Sequence, residues 1–589
     1  MHKVTLFGSA CLRILAGGVM TVTSTALYVP VSRARAIFVV DDAVRCTAFD
    51  AAKLGAAIGA AVTLEKVTVE TGSYQGKPLP EHCVIRGAIN ERRSPVDGRD
   101  YAIRFVLRMP LGDKWNGRFL QLGGGGSNGA TPTALDPLFG GGGTPLMRGF
   151  AVIDTDGGHD ARDIDPMAGG AAAFGRDPQA RRDHFADAYD LVAKAGQYLA
   201  SHFYGRPMHS YFVGCSEGGR EAMIMSQKFP DHFDGIIAGA PQFYQPMQSL
   251  SSIRGVQLLA REAQAEGLID PAGIPAINRV FSDADLTLAA GAVAAACDAD
   301  DGLKDGLINQ YGQCSTAKVD REFGKIRCAT AKTASCLTTG QITVLEGLHA
   351  PTRNAKGAEL YPGYPWDTGI NAQSSGFRGW WLGNYDAPSS NAAKLNFSPS
   401  MLRMVWTSPA QPFDMSHSAK IALAYDWQRY PSDPALAFPS AEGPTNAAGV
   451  GMINDNVVLD AFAKRNGKLL IWAGAADATH SLYQTTLYMD RLQARYGART
   501  GNFARMFVAP GVAHCGGGPG TDKFELLDPL IKWVETGKAP DSIVGKTSPD
   551  TPTPPIERPM CVYPAYARYI GGPTETASSF KCVSGKRPS

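Results

Sequence analysis

Apolar and polar positions along this chain fall into short buried-strand runs that alternate with helical faces. Residues 101–110, YAIRFVLRMP, alternate in strand fashion, and RFLQLGGGG at 118–126 reads as a strand running into a glycine cluster. GFAVIDTDGGH at 149–159 predicts a buried strand that ends in a polar loop. The stretch DHFADAYDLVAKAGQYLASHFYG sets Phe185, Ala188, Tyr189, Val192 and Leu199 on one helical face and stops at Gly205. SYFVG at 210–214 is a short apolar strand, EGGREAMIMSQKF a helix, and DGIIAGAP a further strand. Strand and helix alternating at this spacing predict a parallel sheet covered on both faces.

Beyond Gln245 the rhythm breaks. Residues 246–454 carry four cysteines, an acidic loop and a stretch rich in Trp, Tyr, Pro and Ser, from YPGYPWDTG to WTSPAQPF. The α/β rhythm returns in GKLLIWAGAAD (467–477) and FARMFVAPGVAHC (503–515), followed by an amphipathic helix, KFELLDPLIKWVETG. A chain of 589 residues exceeds one ordinary core. The economical reading is one α/β domain, residues 37–245 and 455–589, interrupted by an inserted lid at 246–454. TSPDTPTPP at 547–555 reads as a loop.

The amino terminus carries Lys3 and Arg13, an uncharged stretch from Ile14 to Ser32, and Ala34-Arg35-Ala36, which resembles a cleavage signal. Residues 1–36 therefore read as an export peptide, and the mature protein as secreted or periplasmic. Of eleven cysteines, Cys11 leaves with that peptide, and an even set of ten suits an oxidising compartment. Near neighbours suggest Cys46–Cys83, Cys297–Cys314, Cys328–Cys336 and Cys561–Cys582, which leaves Cys215 and Cys515 for each other. Spacing alone leaves that connectivity open. With 57 basic and 55 acidic side chains the net charge is +2, which gives no reason to expect nucleic acid or an anionic membrane as partner. A small molecule is the expected partner.

Gly214-Cys215-Ser216-Glu217-Gly218 is a G-x-S-x-G pattern, preceded by a strand and followed by a helix. That context predicts a nucleophile elbow, whose tight turn exposes Ser216 Oγ at the carboxyl edge of the sheet. The acid and the histidine should follow in that order at the ends of later strands. LLIWAGAAD ends at Asp477 and MFVAPGVAH at His514. Ser216 is then the nucleophile, His514 the general base and Asp477 its orienting acid. His480 is a rival base, but it shares the loop of the acid and fits better as a pocket residue. If Ser216 and His514 meet, their neighbours Cys215 and Cys515 come within disulfide range.

CDADDGLKDGLINQYGQC (297–314) crowds Asp298, Asp301 and Asp305 together with glycines at 302 and 306. Such hard oxygen ligands suit Ca²⁺, with the carbonyls of Leu303 and Leu307 completing the shell.

GCSEGGREA, GAADATHS, PGVAHCGGGPG with the following LLDPLIKWVETGKAPDSIV, and CDADDGLKDGLI together resemble the tannase/feruloyl esterase family. The resemblance runs from about Cys46 to Cys582 and implies an α/β-hydrolase fold with a structural calcium in the lid loop. It also implies an oxyanion hole from the Glu217 N–H and an N–H of the glycine cluster 123–129, with Gly125 favoured and Gly124 as its neighbour. GWWLGNYDAP resembles a family stretch that contributes an aromatic wall for the acyl group, and Trp381 is the expected residue. In a bacterial branch acting on terephthalate monoesters, an arginine shortly afterwards meets the substrate's free carboxylate. Ser400 stands at the matching position here, with Arg403 three residues on. The expected activity is hydrolysis of esters of aromatic acids, of hydroxycinnamic or gallic type, through an acyl-enzyme. The alternatives are a terephthalate monoester hydrolase and, in another class, a non-catalytic polyphenol- or carbohydrate-binding protein on a hydrolase scaffold. Intact Ser216, Asp477 and His514 argue against that last reading.

Overall fold

Nine strands make one twisted sheet: β1 Val62–Tyr74, β2 Lys77–Arg93, β3 Asp100–Pro110, β4 Arg118–Leu122, β5 Ala151–Thr155, β6 His209–Cys215, β7 Gly235–Gly239, β10 Lys468–Gly474 and β11 Ala504–Ala509. A small separate hairpin pairs β8 Thr352–Arg353 with β9 Glu359–Tyr361. The computed structural model describes residues 42–138, 143–162, 169–205, 208–439, 453–549 and 555–585. The expected export segment 1–36 and most of the TSPDTPTPP loop lie outside the described residues. Among the described residues, no helix is long and apolar enough to cross a membrane.

Spatial order in the sheet is β1-β2-β3-β5-β4-β6-β7-β10-β11. From β5 to β11 every pairing is parallel. Each of β5, β6, β7 and β10 is buried or nearly so along its length, as expected of strands covered on both faces. The wholly parallel expectation needs correction at one edge, where β1, β2 and β3 pair antiparallel and join β5 antiparallel. Strands β1 and β2 escape a periodicity reading because β1 is half exposed along most of its length. Its polar positions mask the pattern.

The helical face expected before Gly205 forms as helix Ala188–Tyr204, preceded by a wide turn at Asp183–Asp187. Phe185, Ala188, Tyr189, Val192 and Leu199 are all buried. The amphipathic segment after His514 starts its helix later than its pattern suggests, at Leu527, and ends at Thr536. Lys523 and Phe524 instead pair with Lys546 and Gly545. Leaving β7, the chain enters helix Gln245–Ala265 and returns to the sheet only at Lys468, where β10 pairs with β7. From this intervening stretch Trp380 reaches the carboxyl ends of the parallel strands beside Ser216 and His514, and Asp42–Ser589 make one unit.

Candidate active site

Ser216 sits between the end of β6 and helix Glu217–Gln227 with φ 65° and ψ −120°, a strained conformation for a residue with a side chain. Close packing explains the flanking glycines. A Cβ on Gly214 would meet Gly218 O at 2.4 Å, and one on Gly218 would meet Gly124 O at 2.8 Å. The elbow is pinned by the Ser216 N–H donating to Gly239 O at 3.0 Å.

The loops after β10 and β11 bring the other two groups to it. Ser216 Oγ lies 2.8 Å from His514 Nε2, and His514 Nδ1 lies 2.8 Å from Asp477 Oδ2. An ionised Asp477 can only accept, so Nδ1 carries the proton and Nε2 is free to take one from the serine. Asp477 Oδ1 accepts the N–H groups of Thr479 and His480 at 2.8 and 2.9 Å. Burial works to raise its pKa, but the charge and hydrogen bond of His514, with these N–H donors, hold it below the usual carboxylate value. His480 Nδ1 is engaged with Ala240 O at 2.8 Å, and burial followed by the nearby His514 charge pushes it down to about 4. It packs edge-on to His514 and does not line the cavity at Ser216, contrary to expectation.

That cavity, about 480 Å³, is walled by the glycine loop, Asn128, residues 130–132 and 136–138, Asp154, Trp380 and the disulfide Cys215–Cys515. Gly124 donates its N–H to Glu221 Oε2 at 3.0 Å, so it has none to offer a substrate. The N–H groups of Glu217 and Gly125 have no acceptor among the described residues. Of the two glycines expected at the oxyanion hole, the structure therefore leaves Gly125.

The aromatic wall is Trp380, not Trp381. The Trp380 ring stands 5.2 Å from that of His514 at 87°, and it lines the cavity. Trp381 points the other way: its indole fills the space above Gly255, beneath Lys394 Nζ at 4.1 Å from the ring centre. Both belong to one wide turn, Arg378–Leu382, and the sequence doublet alone does not say which indole faces the serine. A residue that the sequence did not single out, Ser375, accepts the His514 N–H on its backbone carbonyl at 3.1 Å and donates its hydroxyl to Gly516 O at 3.1 Å. Ser400 is buried and turns its hydroxyl to Phe397 O, and neither it nor Arg403 lines the cavity.

The acidic loop is bracketed by the disulfide Cys297–Cys314; the remaining bonds are Cys46–Cys83, Cys328–Cys336 and Cys561–Cys582. Asp298 accepts the Gly306 N–H at 2.9 Å, and Asp301 accepts the Leu303 N–H and the Asn309 side-chain amide. Asp305 caps the Leu307 N–H and pairs with Arg558. Burial first, then the neighbouring carboxylates, pushes Asp301 up to about 6, and burial chiefly raises Asp298 as well. Buried carboxylates that repel one another are a donor set that fits a hard divalent cation. They are less convergent than the spacing implied. Among the described residues, the one trio of potential ligand atoms within 4.8 Å of one another is Asp477, His480 and His514, of which Asp477 and His514 are engaged with each other and His480 with Ala240 O.

Mixed sheet with a parallel run from β5 to β11, strained elbow and serine–histidine–aspartate chain define an α/β-hydrolase with the site of a serine esterase. The sequence matches the family of tannase and feruloyl esterase over residues 84–583, and the chain belongs to that family. It is 40% identical over 526 residues to mono(2-hydroxyethyl) terephthalate hydrolase of Piscinibacter sakaiensis, covering 86% of this chain and 85% of that one. It is 30% identical over 527 residues to a probable feruloyl esterase of Arthroderma benhamiae, covering 87% and 89%. Feruloyl esterase B of Aspergillus oryzae shares the fold, with a TM-score of 0.67 at 23% identity over 92% of this chain and all of that one. The protein is a carboxylic ester hydrolase.

Proposed function

We propose that this hydrolase cleaves esters of aromatic carboxylic acids through an acyl-enzyme on Ser216. The observation that carries the reading is the hydrogen-bonded chain Ser216–His514–Asp477 opening into a cavity walled by Trp380. His514 Nε2 takes the serine proton as Oγ bonds to the ester carbonyl carbon. The carbonyl oxygen, now an oxyanion, accepts from the N–H groups of Glu217 and Gly125. Collapse of this intermediate breaks the bond to the alcohol oxygen, which leaves with the proton returned by His514. Water then repeats the sequence against the acyl-enzyme, with His514 again as base, and releases the acid. Asp477 keeps the imidazole in the required tautomer and stabilises it when charged.

The preferred acyl group is neutral and of hydroxycinnamic or gallic type. The terephthalate monoester is the second reading, favoured by the relative of that name at 40% identity. The cavity at Ser216 argues against it: its described lining has no arginine or lysine to meet a free carboxylate. Calcium is assigned to Asp298, Asp301 and Asp305 with the Leu303 and Leu307 carbonyls, where it would neutralise the buried carboxylates and brace the lid. Five disulfides support a secreted or periplasmic protein.

Initial rates on methyl ferulate, methyl gallate and a terephthalate monoester test the substrate. Faster turnover of the monoester than of both neutral esters would overturn the preference. Ser216→Ala should abolish turnover with an unchanged melting temperature. Retention of more than about one per cent of kcat would remove the nucleophile assignment, since loss of a triad serine costs far more than a hundredfold.

A further inference from the structure

Glu221 lies on the helix that begins at the nucleophile and is fully buried. A buried carboxylate is costly unless its oxygens are satisfied. The adjacent Arg220 attracts its charge, while the guanidinium donates to Glu217 Oε1 and to the carbonyls of Phe185 and His184. Glu221 instead reaches the glycine loop with both oxygens. Oε2 accepts the Gly124 N–H at 3.0 Å, and Oε1 accepts the Asn128 side-chain amide at 2.9 Å. That amide also donates to the Tyr189 hydroxyl at 3.0 Å. On its other side the Gly124 peptide accepts the Gly218 N–H at 2.9 Å.

The consequence falls on the next peptide. With Gly124 held at both its N–H and its carbonyl by the nucleophile's own helix, the Gly125 N–H is fixed relative to Ser216. The packing leaves no slack, because a Cβ on Gly124 would lie 2.2 Å from Asn128 Oδ1. Oxyanion donors act only when placed within a few tenths of an ångström before the charge develops. We infer that Glu221 is a positioning residue for ester hydrolysis, its carboxylate latching the 123–129 loop to the nucleophile helix so that the Gly125 N–H meets the oxyanion. This rests on the serine-esterase mechanism above. The Gly124 N–H and the Asn128 amide are both donors, which suits a carboxylate. Burial and the Glu217 charge raise it to about 7 against the pull of Arg220.

The test exploits hydrogen-bond polarity at unchanged shape. Glu221→Gln can accept from Gly124 but turns an amide NH₂ against the NH₂ of Asn128, while Asn128→Asp alone sets two carboxylates together. The pair Glu221→Gln with Asn128→Asp restores one donor to one acceptor. With p-nitrophenyl butyrate as probe, each single variant should lose about 10- to 100-fold in kcat with KM within about threefold, below the ceiling for deleting a donor outright. The double variant should recover at least about tenfold over the worse single variant, a coupling that only residues in contact show. A Glu221→Gln enzyme within about threefold of wild type, or a double variant no better than the product of the singles, would overturn the latch. If Glu221→Gln does not fold, the comparison of Asn128→Asp with the double variant decides alone. Wild-type turnover of this probe that survives Ser216→Ala would instead defeat the serine-esterase reading, and the latch with it.

Discussion

Cys215 and Cys515 are bonded, their Cα atoms 6.1 Å apart, one residue before the nucleophile and one after the base. The bond closes a sequence separation of 300 residues and forms part of the cavity wall. By the chain-entropy account a loop that long adds roughly 5 kcal/mol of stability, and the tie also limits how far Ser216 and His514 can drift apart. Replacing both cysteines with alanine should lower kcat and melting temperature together. Replacing Cys561 and Cys582 should lower only the melting temperature, because that bond lies beyond the last member of the triad. Equal effects on kcat from the two pairs would show that the clamp does not act on the chemistry.

Trp380 and Trp381 separate pocket from core. Trp380→Ala should raise KM for aromatic esters about tenfold and leave the fold intact, given the few kcal/mol at most that a partly exposed aromatic contact supplies. Trp381→Ala should instead destabilise the lid by about 3 kcal/mol or more, the cost of emptying a buried indole site. Thermal unfolding and Michaelis curves on the two variants distinguish the roles. The reverse pattern would return the wall to Trp381.

Removal of calcium should act through stability. Calcium in the proposed acidic-loop site would stabilise the folded chain by about 2.7 kcal/mol at a hundred times its dissociation constant. EDTA should therefore lower the melting temperature, added calcium should restore it, and Asp301→Asn should abolish the response. Indifference to EDTA, with no calcium by elemental analysis, would leave an acidic turn stapled by Cys297–Cys314.

His480 is held down to about 4 by burial and by the charge of His514. A histidine whose folded pKa is depressed contributes stability that is present above its unfolded value near 6.5, and that is lost as pH falls towards the folded value. His480→Gln should flatten the fall in melting temperature between about pH 6.5 and 4, on the order of 3 kcal/mol at the acid end. Its kcat should stay within about threefold of wild type, since the residue does not transfer the proton. A collapse in kcat would make His480 the base.

The triad was legible because its geometry is local. A strand, a glycine-flanked serine and a helix are the local signature of an elbow, and Asp477 and His514 each end an apolar run that reads as a strand. The cysteines beside Ser216 and His514 were readable for the same reason, since whatever brings the catalytic pair together brings their neighbours. The aromatic wall was not. Trp380 and Trp381 are equivalent in the sequence, and only the phase of the Arg378–Leu382 turn against helix Gln245–Ala265 sends one to the cavity and the other over Gly255.

Likewise the glycine run 123–126 offers four similar N–H groups. Gly124 is withdrawn from the oxyanion hole only because Glu221, 97 positions away, reaches across to claim it. The half-exposed β1 hid its membership of the sheet, because its polar positions carry no periodic signal until β2 is beside it. Sequence by itself singled out Ser216, Asp477 and His514 as the candidate catalytic residues, in that order, through short-range pattern, and the structure brings the three into one hydrogen-bonded chain. Tertiary structure decided which of several equivalent neighbours faces the substrate, because that depends on contacts between segments far apart in the chain.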